Sequence, residues 1–281
     1  MESIGQVGAR TEQAAHKPPK RRRGKREWVL PTYTGLVLAY LFLPIVVMIL
    51  FGFNDYKGRF NFTWEGFTTR WYQELFDIPE LTTALQNSLL IAAVSTLIAT
   101  ILGTLIALAM TRHRFKGRSA MNLFIFVPMA TPEIVMGAGL LSLFVTLAFP
   151  RGMLTIVIAH IMFSISYVVV TVKARTSGLD HNLEDAAQDL GATPWTTFWT
   201  VTFPLIFPGI LAAGLLAFVL SIDDYVITRF VSGGEVTLPL WIYGASRIGV
   251  PGQVNVIGTL LLLIGVGYVV FSLIRIRRTD A

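Results

Sequence analysis

The sequence predicts an all-α integral membrane protein with six transmembrane helices, and three observations carry that expectation. Of 281 residues, 53% are hydrophobic and only 14% charged, where a soluble domain carries about a quarter charged. Six apolar runs, at about residues 31–53, 85–110, 121–147, 153–172, 205–222 and 254–274, approach or exceed the roughly 20 residues a helix needs to cross about 30 Å of hydrocarbon. No run alternates at the period of a strand, and a single span in lipid satisfies its backbone groups internally only as a helix. The positive charges then orient the chain. Alternate tails and connections hold 17 of the 23 Lys and Arg against 6 in the others, and the excess marks the cytoplasmic side. Both termini are therefore expected inside.

Residues 1–27 are read as a disordered basic tail, from Lys17 through the Lys20-Arg21-Arg22-Arg23-Gly24-Lys25-Arg26 cluster. Such a cluster sets topology and touches anionic lipid headgroups. Nucleic acid is not an expected partner, because a binding surface of that kind needs a folded basic face with aromatics. Residues 28–281 are read as one membrane domain. Its first outer loop, residues 54–83, is rich in aromatics (Phe60, Phe62, Trp64, Phe67, Trp71, Tyr72 and Phe76). Rings of this kind favour the headgroup layer, and an interfacial helix is expected near residues 66–76. The loop either caps the bundle or docks an extracytoplasmic protein.

The third span is interrupted by Pro128 and Pro132, with Glu133 directly after; proline removes a backbone donor and disfavours helix at the residue before it. Counted from residue 121, Glu133 falls roughly 18 Å into the membrane. A carboxylate there costs about 2.5–3.5 kcal/mol on insertion scales, so either a cationic ligand or a protonated, hydrogen-bonded state is expected. In the fifth span Asp223 and Asp224 follow Ser221-Ile222 at roughly 24–28 Å along the helix. Two neighbouring acids without a local Lys repel each other unless a cation or water compensates. His160, inside the fourth span, reads as a hydrogen-bonded packing residue.

Between the fourth and fifth spans lies a charged segment. Residues 179–190 can form a short amphipathic helix with Leu183, Ala186, Ala187 and Leu190 on one side and Asp180, Glu184 and Asp189 around the rest. Gly191 suits the left-handed position that ends a helix. Thr193 and Pro194 suit the cap and first turn of the next, which carries Trp195, Phe198 and Trp199 toward Phe203-Pro204. The product is a helix-turn-helix elbow over residues 176–204 on the cytoplasmic face. It buries nothing in lipid, and its small Ala186 and Ala187 allow a partner close approach.

Several chemistries are excluded. The chain has no cysteine, hence no disulfide, thiolate metal site or cysteine nucleophile. It lacks G-x-x-x-x-G-K-[ST] and H-E-x-x-H, so neither P-loop nucleotide binding nor a zincin site is available. No enzymatic activity, cofactor or metal is expected, and uphill transport would need an ion gradient or another polypeptide.

The pattern Asp185-Ala186-Ala187-x-x-x-Gly191, followed by Val201-x-Phe203-Pro204, resembles the EAA signature of ABC importer permeases, with Asp185 in the acid position and Glu184 just before it. Four further stretches are similar to the spermidine/putrescine importer permeases, C-type subunit: Phe51-Gly52-Phe53-Asn54, Trp64 to Tyr72, Thr131 to Met136 and Leu220 to Ile227. Leu238 to Tyr243 and Val254-Asn255 fit the same group. The resemblance implies a type I importer fold in the bacterial inner membrane and a pairing with a homologous permease subunit. It also implies two cytoplasmic ATP-binding ATPase subunits and an extracytoplasmic polyamine-binding protein. The elbow residues Glu184, Asp185, Ala186, Ala187 and Gly191 would couple to an ATPase, with the contacting acid left open. Glu133, Asp223 and Asp224 would line a cation path, with Tyr225, Trp241 and Tyr243 as cation–π neighbours. An ABC permease for ferric iron, an opine or an amino-acid derivative, or an ion-coupled secondary transporter, stands as the alternative.

Overall fold

The computed structural model describes residues 28–113, 115–180 and 182–279, with side chains to residue 267. The basic tail and its expected disorder lie outside the described residues. The described chain is helical: α1 (Val29–Phe51), α2 (Arg70–Gln73), α3 (Pro79–Arg112), α4 (Arg118–Ala130), α5 (Glu133–Thr146), α6 (Met153–Thr176), α7 (Asn182–Asp189), α8 (Pro194–Thr197), a π-helical turn (Phe198–Thr202), α9 (Phe203–Asp223), α10 (Val226–Val231), α11 (Leu238–Ser246) and α12 (Gly252–Thr279). It divides into two units, one ending at Leu50 and one beginning at Phe51. Within the first, α1 is apolar all round and buries none of its residues.

In the second unit α3, α6 and α9 pack against one another at the centre. The face of α3 that is buried carries Ala84, Ser88, Ala92, Ser95, Ala99, Gly103 and Ala107, three or four apart and small. That spacing puts them on one side of the helix, and small residues let membrane helices approach closely.

Among the described residues, four helices are long and apolar enough to cross a membrane unaided: α1, α3, α6 and the continuous run from Pro194 to Asp223. The expected third span is α4 and α5, bent by 104° between them. Thr131, held extended at ψ 131° before Pro132, ends α4, as the residue before a proline is driven out of the helical region. The expected sixth span falls on α12, whose apolar segment is described over Gly252–Gly267.

The expected interfacial helix near residues 66–76 is only the four residues of α2. Its backbone groups are used by a loop organised on Asn54, which is fully buried. Asn54 pairs with Phe67, its Oδ1 accepts from the Glu65 amide at 2.8 Å and the Gly66 amide at 3.4 Å, and the Thr68 amide donates to the Phe53 carbonyl at 2.8 Å. A side chain that satisfies local backbone competes with helix formation.

Candidate functional site

A cavity of about 600 Å³ opens where the break between α4 and α5 faces the break between α9 and α10. Glu133, Asp223, Asp224 and Tyr225 all line it, although Glu133 is 90 residues or more from the others in sequence. Glu133 is the first residue of α5, where the exposed amides of a helix start favour an anion. Gly137 keeps that helix close to α10, since a Cβ there would stand 2.6 Å from the Phe230 ring. Tyr167 and Phe163 of α6 complete the wall, and among the described residues no Lys or Arg lines it.

The two neighbouring aspartates are treated differently. Asp223 is exposed along the cavity wall. Asp224 follows the last residue of α9 with an extended backbone, ψ 116°, and its side chain is only 6% exposed. It accepts from the Thr228 amide at 2.8 Å and the Thr228 hydroxyl at 2.7 Å, and lies 3.4 Å from His160 Nε2. A hydroxyl has one proton to give. With that proton on Asp224, Thr228 Oγ1 accepts from His160 Nε2 at 3.0 Å. The other ring nitrogen meets Ser221 Oγ at 2.7 Å, and Ser221 meets Ser95 Oγ at 3.1 Å. A continuous buried polar chain thus runs from α3 through α9 and α6 to Asp224. His160 packs by hydrogen bonding, as its position in a span implies, and the Thr228 hydroxyl links it to one of the cavity acids.

The aromatics divide. Tyr225 and Tyr243 have ring centroids 4.7 Å apart and share a second cavity of about 420 Å³ with Arg229 and Arg247. Arg247 donates to the Tyr243 hydroxyl at 2.8 Å and lies over its ring. Trp241 instead packs in the cluster of Trp71, Leu75 and Leu81 and lines neither cavity. Residues two apart on a helix point about 200° apart, so Trp241 and Tyr243 cannot share a face of α11.

The elbow is present as α7, a turn, and the α8 to α9 run. Gly191 is left-handed, φ +90°. Its amide reaches the Gln188 carbonyl at 2.8 Å and the Ala192 amide reaches Ala187 at 3.1 Å, the paired bonds of a Schellman ending. Thr193 Oγ1 accepts from the Thr196 amide at 3.2 Å, capping α8. The π-turn ends at Thr202, two residues before Pro204; a proline ring clashes with the carbonyl four residues earlier, here Thr200, and the widened turn relieves it. Leu183 and Leu190 are 48% and 90% exposed, so the apolar side of α7 is uncovered within the chain. Asp185 and Ala186 are exposed too, Ala187 is half-buried, and Glu184 is turned inward onto Arg112 and Thr202.

His160, Ser221, Thr228, Tyr167 and Arg112 were not legible as site residues. Ser, Thr and Tyr are common in membrane helices, and each gains its meaning from a partner far along the chain.

Residues 99–278 match the family model of binding-protein-dependent transport system inner membrane components. The chain is 39% identical over 237 residues to the spermidine/putrescine transport system permease protein PotC of Escherichia coli (strain K12), covering 84% of this chain and 89% of that one. It is 40% identical over 235 residues to the putrescine transport system permease protein PotI of the same organism, covering 81% and 83%. Among solved structures, a chain of a bacterial ABC transporter involved in alginate import superposes with a TM-score of 0.62 at 18% identity, over 92% of this chain and 98% of that one. A chain of the MetNI methionine ABC transporter superposes at 0.56, over 72% and 96%. With its helical elbow and broken spans, the chain belongs to the binding-protein-dependent inner-membrane permeases, in the group that holds PotC and PotI.

Proposed function

We propose that this chain is one permease subunit of an ATP-driven importer of polyamines, spermidine or putrescine. It pairs with a homologous permease subunit, two cytoplasmic ATPase subunits and an extracytoplasmic binding protein. The observation that carries this reading is the cavity at the two helix breaks, where three carboxylates converge and no Lys or Arg lines the described wall. Carboxylates at membrane depth cost about 2.5–3.5 kcal/mol each and repel one another. A flexible chain of ammonium groups relieves both penalties at once, and the Tyr225 ring offers it a face. Tyr243 extends that aromatic wall beside Tyr225, whereas Trp241 serves packing. The similarity to the spermidine/putrescine permease PotC and the putrescine permease PotI supports the same cargo class.

The distribution of Lys and Arg supports placing both termini and the elbow in the cytoplasm. Without a phosphate-binding loop of its own, the chain takes its power through that elbow. The α8 to α9 run continues from Pro194 to Asp223, so motion imposed on the elbow displaces the acids at the far end and changes access to the cavity. Release requires that the cation be held weakly, which suits acids spread around a wide space.

The test is uptake of labelled spermidine by the complete importer in sealed vesicles. Glu133→Gln and Asp223→Asn are each expected to lower uptake at least about tenfold, the loss of one charged contact, at normal expression. Unchanged uptake in both would overturn the cavity as the path. Excess unlabelled putrescine or spermidine is expected to compete, and failure to do so would assign the cargo to another solute.

A further inference from the structure

The acid that precedes the EAA-like acid is engaged within the chain. Glu184 Oε1 accepts from Arg112 Nη2 and from the Thr202 hydroxyl. Thr202, its one proton committed to Glu184, accepts in turn from Arg112 Nη2 at 3.1 Å. The three groups close a triangle in which each polar contact is used, and the Arg112 guanidinium also stands 6.0 Å over the Phe198 ring. Thr202 is fully buried, and the Arg112 and Glu184 side chains are 30% and 22% exposed. Each member sits where its element favours it. Arg112 ends α3, where the helix dipole attracts a cation, and Glu184 lies in the first turn of α7, where it attracts an anion. Thr202 closes the π-turn that leads directly into α9.

We infer that the Arg112–Glu184–Thr202 triangle is a rigid clamp that joins α3, α7 and α9 into one lever. Glu184 is a positioning residue of this chain, and the neighbouring exposed Asp185 is the acid presented to the ATPase. This rests on the function proposed above and adds to it the route by which force passes from the elbow to the cavity. Without the clamp, α7 keeps its chain connections and its packing on α8 and the π-turn but loses its charged tie to α3, and it swings more freely relative to α9. With it, displacement of α7 is displacement of Asp223 at the other end of the continuous run. The surface left for the partner is Asp185, Ala186, Leu183 and Leu190, an acid beside an apolar patch. It suits a groove with a basic side chain at its rim.

A charge swap tests the clamp in the complete importer. Glu184→Arg and Arg112→Glu are each expected to lower uptake per ATP hydrolysed by about tenfold, as breaking a close charge pair does. The double variant E184R/R112E is expected to recover at least about threefold over either single variant, since opposite charges again face each other, and to stay below wild type because each charge then sits at the disfavoured helix end. Recovery is a result that direct contact of Glu184 with the ATPase would not give. A double variant no better than the worse single variant, with the ATPase still copurifying, would overturn the clamp. Amide exchange of α7 in the full chain in lipid gives a second reading without transport. Thr202→Val and Glu184→Gln are expected to speed exchange at least about threefold while Asp185→Asn leaves it unchanged, following the local opening free energy; equal exchange in all three would also overturn it. An importer that takes up no polyamine yet shows this exchange pattern would refute the cargo and retain the clamp.

Discussion

Two pairs of adjacent acids, Glu184–Asp185 beside the start of the α8 to α9 run and Asp223–Asp224 at its end, are divided alike and held differently. In each pair one member is fixed inside the chain and the other is exposed. At the elbow the inner acid meets a full cation, Arg112, and one hydroxyl. At the cavity the inner acid meets an amide, a hydroxyl and an imidazole. The difference follows the surroundings. A guanidinium at the half-exposed elbow keeps part of its hydration, whereas one beside the cavity would be buried and would cancel the negative field a cation needs. In the function proposed above, the division follows orientation rather than residue type: the fixed acid builds, and its exposed neighbour is the one left to a ligand or partner.

The sharpest way to break that division is to exchange the roles by mutation. Asp224→Ala leaves the Thr228 amide and hydroxyl without their acceptor in a buried site and removes the carboxylate beside His160, and about 2–5 kcal/mol of stability is expected to go. A steep fall in thermal unfolding temperature and in yield is the expected sign. Asp223→Ala, at an exposed position, is expected to lie within about 0.5 kcal/mol of wild type while uptake falls. Equal destabilisation by both would erase the distinction.

Much of the fold was legible because it rests on local pattern. The apolar runs marked the spans, Pro132 marked the break between α4 and α5, and Gly191 with Thr193-Pro194 marked the elbow turn. What was not legible depends on distance along the chain or on alternatives that local pattern leaves equal. Arg112 and Glu184 are 72 positions apart, and His160 and Thr228 are 68 apart, so no spacing rule relates them. The π-turn before Pro204 is one of several ways a helix can absorb a proline. The aromatic loop read as an interfacial helix because its rings suggested one, whereas the buried Asn54 side chain takes the Glu65 and Gly66 amides at its start.

At the elbow the contrast is smaller. Glu184→Gln weakens a partly exposed charged pair and is expected to cost about 1–2 kcal/mol, with Asp185→Asn near zero, by thermal unfolding of the full chain in lipid. A loss at or below that of Glu184→Gln is expected at the turn between the two helices. Gly191→Ala forces a side chain into the left-handed region at φ +90°, for about 1 kcal/mol, and the same unfolding measurement reads it.

Accumulation of labelled spermidine in sealed vesicles tests the whole account most directly. With the sister permease, the ATPase subunits and the binding protein present, uptake is expected to require ATP and to collapse when Glu133 and Asp223 are both neutralised. Uptake by this chain alone, driven by a proton or sodium gradient with no ATPase in the vesicle, would contradict it.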